Sequence, residues 1–211
     1  MSGASVKSGA AEREKPIGSV LISNCERFSS LFGITDDVKR MLRELSKNIL
    51  ARKGEIVAKA LDLAMRDYEV SEALERAGLD EKKAKRFFEY WFTTVFQGNY
   101  DERHCLDIAR IGLMLVRGGL PSTFLSTLVS AFLAETLETM GGDPKYASAM
   151  ARAFGWNLAM MTLSYEILRE RIFWKATGIH EEVYERLISI YSKRLMKELV
   201  EELKAHYFVM I

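Results

Sequence analysis

Three prolines in 211 residues, Pro16, Pro121 and Pro144, leave long stretches of this chain without a helix breaker. A proline inside a helix removes a hydrogen bond and clashes with the preceding turn, so a proline-poor chain is free to build long helices. Apolar residues recur at spacings of three and four along those stretches, and no alternating run long enough for a convincing strand interrupts them. The pattern predicts an all-α fold. Hydrophobic residues make up 48% and charged residues 28%, a balance that supports one globular core and excludes general disorder.

Lys and Arg number 30 against 29 Asp and Glu, so no overall field draws the chain to nucleic acid or to an anionic membrane. No stretch of about 18 apolar residues suggests a membrane span. Cys25 and Cys105 are too few for a disulfide framework and suit the reducing environment of a cytoplasm. Gln97 is the single glutamine amid abundant Glu, Lys and Arg, a bias towards a thermophilic source.

Residues 1–32 read as a flexible N-terminal lead, small and polar through about residue 16. Thr35 followed by Asp36 and Asp37 predicts a capped helix start. That helix carries Val38, Met41, Leu42, Leu45 and Ile49; Gly54 precedes a second stripe through Leu61. Asp80 precedes an aromatic helix with Phe87, Phe88, Trp91, Phe92, Val95 and Phe96. Asp101 caps the next helix, which must stop near Gly118-Gly119 ahead of Pro121. A strongly apolar helix then runs to Met140. Asp143-Pro144 starts a long one reaching about Lys175. Residues 33–178 are assigned to the main domain and 179–211 to a helical extension.

The usual catalytic and metal signatures are missing. His104, His180 and His206 lie far apart, no Glu-x-x-His occurs, and neighbouring His104 and Cys105 diverge by about 100° on a helix. There is no Gly-x-Ser-x-Gly and no phosphate-binding glycine loop. No enzyme is expected, and no metal site. Lys39, Arg40, Arg43, Lys47, Arg52, Lys53 and Lys59 would suit an all-α dimeric transcription regulator, but no short turn separates two helices of suitable length there.

One stretch is more specific. From Phe87 to Leu120 the chain reads FFEYWFTTVFQGNYDERHCLDIARIGLMLVRGGL, with Val95-Phe96-Gln97-Gly98, Tyr100-Asp101-Glu102, Ile111-Gly112 and Gly119-Leu120-Pro121 in fixed spacing. This resembles the sensor-globin family, the globin domains of globin-coupled sensors and their protoglobin relatives. Weaker likeness extends upstream to Thr35 and downstream through GWNLAMMTLSYEILR to about Arg169. The resemblance implies an all-α, globin-like helical sandwich, here with an N-terminal helix and a C-terminal helix outside the globin core.

In that family the motif carries the histidine that binds haem iron, and its position here is Leu115. The family's distal tyrosine, in a Phe-Tyr-Asp segment, falls on Leu61 of Ala60-Leu61-Asp62. Leucine has no lone pair for iron. His104 is in phase with Leu115 but about 16 Å away along a helix; Met114 points about 100° aside. The resemblance therefore implies a non-haem member, with an apolar site bounded by Leu61, Leu115, Trp91, Val95, Ile111, Phe124 and Leu128. Either an apolar or fatty-acid-like small molecule occupies that site, or side chains fill it and the protein is a dimeric regulatory module. The alternative is a haem-binding oxygen or gas sensor with unusual ligation. The family also pairs its last two globin helices across a homodimer, for which Phe132, Leu133, Phe154, Leu158 and Met161 are the candidate face, and signals through a downstream protein.

Overall fold

A computed structural model describes residues 16–66, 68–141, 144–179 and 181–208. Their regular structure is helical: α1 (Ile17–Leu31), α2 (Asp36–Ala51), α3 (Lys53–Met65), α4 (Tyr68–Arg76), α5 (Glu81–Gln97), α6 (Glu102–Gly118), α7 (Ser122–Thr139), α8 (Pro144–Thr177) and α9 (Glu181–Phe208). One compact unit runs through Ile167 and a second begins at Leu168, within α8.

The helix starts have local causes. Side chains of Thr35, Asp80 and Asp101 accept hydrogen bonds from the backbone N–H groups of Val38, Lys83 and His104, satisfying donors that a first turn leaves unpaired. α6 ends where Gly119 adopts φ +73°, and its N–H returns to the carbonyl of Val116. α2 and α3 break at Arg52, one residue before the helix that contains Gly54 resumes. α4 is an element the sequence pattern did not separate; Val70 and Leu74 anchor it in the core.

Within the first unit α3 packs on α5 and α7, α2 on α5, and α1 on α6. Residues 17–31, expected as part of a flexible lead, instead form α1 as a docked helix. Leu21 and Cys25 are buried on one face of it. The indole of Trp156 donates to Ser29 Oγ at 3.2 Å, and the Arg152 guanidinium donates to the Phe32 carbonyl at 2.9 Å. Residues 1–15 lie outside the described chain.

The cysteine expectation needs correction as well. Cys25 on α1 and Cys105 on α6 form a disulfide with Cα atoms 6.0 Å apart, both buried. Eighty residues of sequence separate them, and only the docking of α1 on α6 brings them together. Among the described residues no helix is long and apolar enough to cross a membrane.

Candidate functional site

The aromatic residues of α5 converge with α7 and α8. Phe88, Trp91, Phe92 and Phe96 meet Phe132 and Phe154 in one interlocked group, with Trp91–Phe132 ring centroids at 4.9 Å and Phe92–Phe132 at 5.6 Å. Phe96–Phe154 and Trp91–Phe154 lie at 6.2 and 6.1 Å, in edge-to-face geometry. All six are buried. The one polar atom of Trp91 is satisfied there: its Nε1–H donates to Asn157 Oδ1 at 3.1 Å, and the Asn157 amide donates to the Ala153 carbonyl at 2.8 Å.

The residues assigned to the apolar site belong to the same hydrophobic core: Leu61 of α3, Trp91 and Val95 of α5, Ile111 and Leu115 of α6, and Phe124 and Leu128 of α7. All are buried, and Leu115, Trp91, Val95 and Leu128 show no surface that water could touch. Packing of α6 is tight elsewhere too: at Gly112 a Cβ atom would strike the Met161 carbonyl and Ser164 Oγ of α8.

The other end of α6 carries a separate feature. His104 lies beneath Tyr100 and Trp156, with ring centroids at 4.8 and 5.2 Å, and its ring occupies the space a side chain at Gly98 would need. Its Nε2 is buried without a hydrogen-bond partner. Burial pulls the imidazole pKa down to about 4, and the carboxylates of Asp101 and Asp107 only partly oppose this. Tyr100, the one non-glycine described residue with positive φ (58°), donates its hydroxyl to the Val95 carbonyl at 2.6 Å. Burial raises the Tyr100 phenol well above its ordinary value, with Asn157 opposing.

A pH dependence follows. Between about pH 6.5 and 4 the unfolded chain protonates His104 while the folded chain does not, so stability should fall as pH drops, by about 1.4 kcal/mol per unit at most. The loss should level off below the folded value, about 4. Chemical denaturation of wild type and His104→Leu at pH 7 and pH 4.5 checks this: the variant should lose distinctly less stability on acidification.

The protoglobin family model matches residues 23–166, about two thirds of the chain and every element of the first unit. The chain belongs to the protoglobin family. Among solved structures, this protoglobin is similar to the globin domain of a Geobacter sulfurreducens globin-coupled sensor, with a TM-score of 0.60 and 24% identity over 66% of this chain and 96% of that one. That likeness gives the globin fold. No curated protein matches.

The residues of this protoglobin do not fit a histidine-ligated haem. Leu115 and Leu61, which the sequence resemblance assigns to the family's iron-ligand and distal positions, are both buried hydrocarbons. His104 stands within the Tyr100–Trp156 bracket at the start of α6. His180 is outside the described residues, and no side chain is described for His206. The proposed dimer face is also corrected in part. Phe132, Phe154 and Met161 are fully buried within the first unit, so a second copy has no surface of theirs to touch; Leu133 and Leu158 are half-buried. Asn157 and Ser29, which accept the indole N–H bonds of the two buried tryptophans, are not singled out by the sequence pattern. Their signal is a polar side chain in an otherwise apolar helical phase.

Proposed function

We propose that this protoglobin is a haem-less, non-enzymatic regulatory module, whose globin core is filled by its own side chains and acts as a scaffold rather than a gas-binding site. The observation that carries this reading is the pair of leucines at the two haem positions, Leu115 and Leu61, together with walls at Trp91, Val95 and Leu128 that water cannot reach. A single lost ligand would leave a vacated cavity. Here both polar positions and the intervening volume have become apolar packing, which supports a change of role.

The basic residues of α2 and α3 do not favour the rival reading as a DNA-binding regulator. Arg40 pairs with Asp37 at 2.8 Å, Arg52 with Glu55 at 3.0 Å and Lys59 with Glu55 at 3.1 Å, so much of that charge is answered locally.

Native mass spectrometry tests the reading. After incubation with excess haemin, and separately with palmitate, the spectrum should show only the polypeptide or its multiples, at 24.0 kDa per chain. A stoichiometric adduct of either compound would overturn the filled-core scaffold.

A further inference from the structure

α1 is a poor helix by its own sequence. Six of its fifteen residues, Gly18, Ser19, Ser23, Asn24, Ser29 and Ser30, have low helix propensity. Ser23 and Asn24 both donate back to the Val20 carbonyl, a local bond that competes with the helical ladder. Pro16, at the N-cap, offers the first turn no side-chain acceptor. A helix of this length is marginal in water even with a favourable sequence, so α1 keeps its shape because it is docked.

The docking is unevenly distributed. At the C-terminal end α8 supplies the hold: Trp156 donates to Ser29, Arg152 donates to the Phe32 carbonyl, and the Phe32 ring takes the space that a side chain at Gly155 would need. Towards the N-terminus the attachment is to α6. Leu21 and Cys25 are the only residues of α1 that are fully buried, and Cys25 is the one bonded to Cys105. Without that bond, Leu21 and a thiol at Cys25 are all that this stretch buries completely. The rest of the globin unit needs no such tie, because the aromatic group that joins α5, α7 and α8 is built from those three helices alone.

We infer that the Cys25–Cys105 bond is a reversible redox latch. Oxidised, it clamps residues 17–25 on α6; reduced by a dithiol, it lets them part from α6 about the Ser29–Phe32 attachment while the rest of the globin unit stays folded. A dithiol thiolate attacks the sulfur of Cys25, which is 3% exposed against 0% for Cys105, as α1 begins to open. Cys105 leaves as a thiolate and takes a proton. The second thiol of the dithiol then displaces Cys25, so the products are two protein thiols and the disulfide of the dithiol, with two electrons and two protons passed to the protein. The reverse step is set up by docking, which holds the two Cα atoms 6.0 Å apart, within the ordinary span of a disulfide. Opening turns Leu21 and the α6 surface around Cys105 out to solvent. The latch does not depend on what the globin core binds.

Hydrogen exchange of the full chain, read by mass spectrometry, tests the latch. Millimolar dithiothreitol should reduce the bond in the folded protein, so that an aliquot quenched in denaturant with N-ethylmaleimide carries an adduct on each of the two cysteines. Amides of residues 17–25 should then exchange at least about tenfold faster than in the oxidised protein, and those of α5 and α7 should keep their rates. Exchanging the dithiol for oxidised glutathione should restore the protection. Cys25→Ala/Cys105→Ala should match reduced wild type with or without dithiol. A bond that resists the dithiol, unchanged exchange of residues 17–25 on reduction, faster exchange throughout the globin unit, or protection that does not return would each overturn the proposal.

Discussion

Replacing both members of the buried disulfide, Cys25→Ser with Cys105→Ser, should lower the unfolding free energy by about 2–4 kcal/mol. The bond closes a loop with a sequence separation of 80, and closing a loop of that size removes a large share of the freedom of the unfolded chain; the simple chain-entropy estimate is about 4–5 kcal/mol. For a chain of this length the loss corresponds to a fall in melting temperature of about 4–16 °C. Calorimetry with and without a strong reductant isolates the effect. Reductant should lower the melting temperature of wild type towards that of the double serine variant and leave the variant unmoved. An equal response from both proteins would mean that the bond contributes nothing to the folded state. Because Cys25 and Cys105 are 3% and 0% exposed, reduction of the folded protein should follow the opening of α1 from α6 and accelerate steeply with temperature.

The second large effect is expected at Trp91. Its indole lies against Phe88, Phe132 and Phe154 and holds Asn157 by the Nε1–H bond. Trp91→Ala removes the largest side chain at the junction of α5, α7 and α8, for a cost of about 3–5 kcal/mol from lost contacts and residual cavity. It also leaves Asn157 Oδ1 buried without a donor, adding about 1–3 kcal/mol. Trp91→Phe separates these terms: most of the packing stays while the hydrogen bond goes, so its loss should be well under half that of alanine. Urea denaturation of the three proteins measures both. The alanine variant carries a further expectation, since an apolar void in a rigid core stays dry and admits small hydrocarbons. It should be re-stabilised by saturating benzene, and wild type should not.

Much of the fold was legible because its punctuation is local. Thr35, Asp80 and Asp101 announce helix starts through the chemistry of their own side chains, and Gly119 marks the end of α6 through its left-handed backbone. The spacing of Gly98, Tyr100, Gly112 and Pro121 carries the family resemblance, and at Gly98 and Gly112 neighbouring atoms leave no room for a side chain. Gly112, for one, admits the Met161 carbonyl.

What stayed hidden depends on distant parts of the chain. Nothing in the neighbourhood of Cys25 points to Cys105, and their pairing follows from a helix packing that periodicity alone does not specify. Phe132, Phe154 and Met161 belong to the apolar surplus of α7 and α8, and all three are buried in the core; sequence alone does not distinguish such a core face from an apolar surface awaiting a partner. α9 is the converse case: its apolar stripe is narrower and easily taken for a core face, yet its side chains stand exposed. Of the candidate site, the burial of Leu61, Trp91, Val95, Ile111, Leu115, Phe124 and Leu128 was legible, because each lies on the apolar stripe of its helix.

The central claim is that a globin fold here has given up haem, and optical absorption tests it most directly. Protein purified from cells supplied with a haem precursor should show only the aromatic band of its three tryptophans and eight tyrosines, with no Soret band before or after addition of haemin and removal of the excess. A Soret band at one haem per chain, reversible on reduction and shifting with carbon monoxide, would contradict the account and return Leu115 to the vicinity of an iron held by another residue.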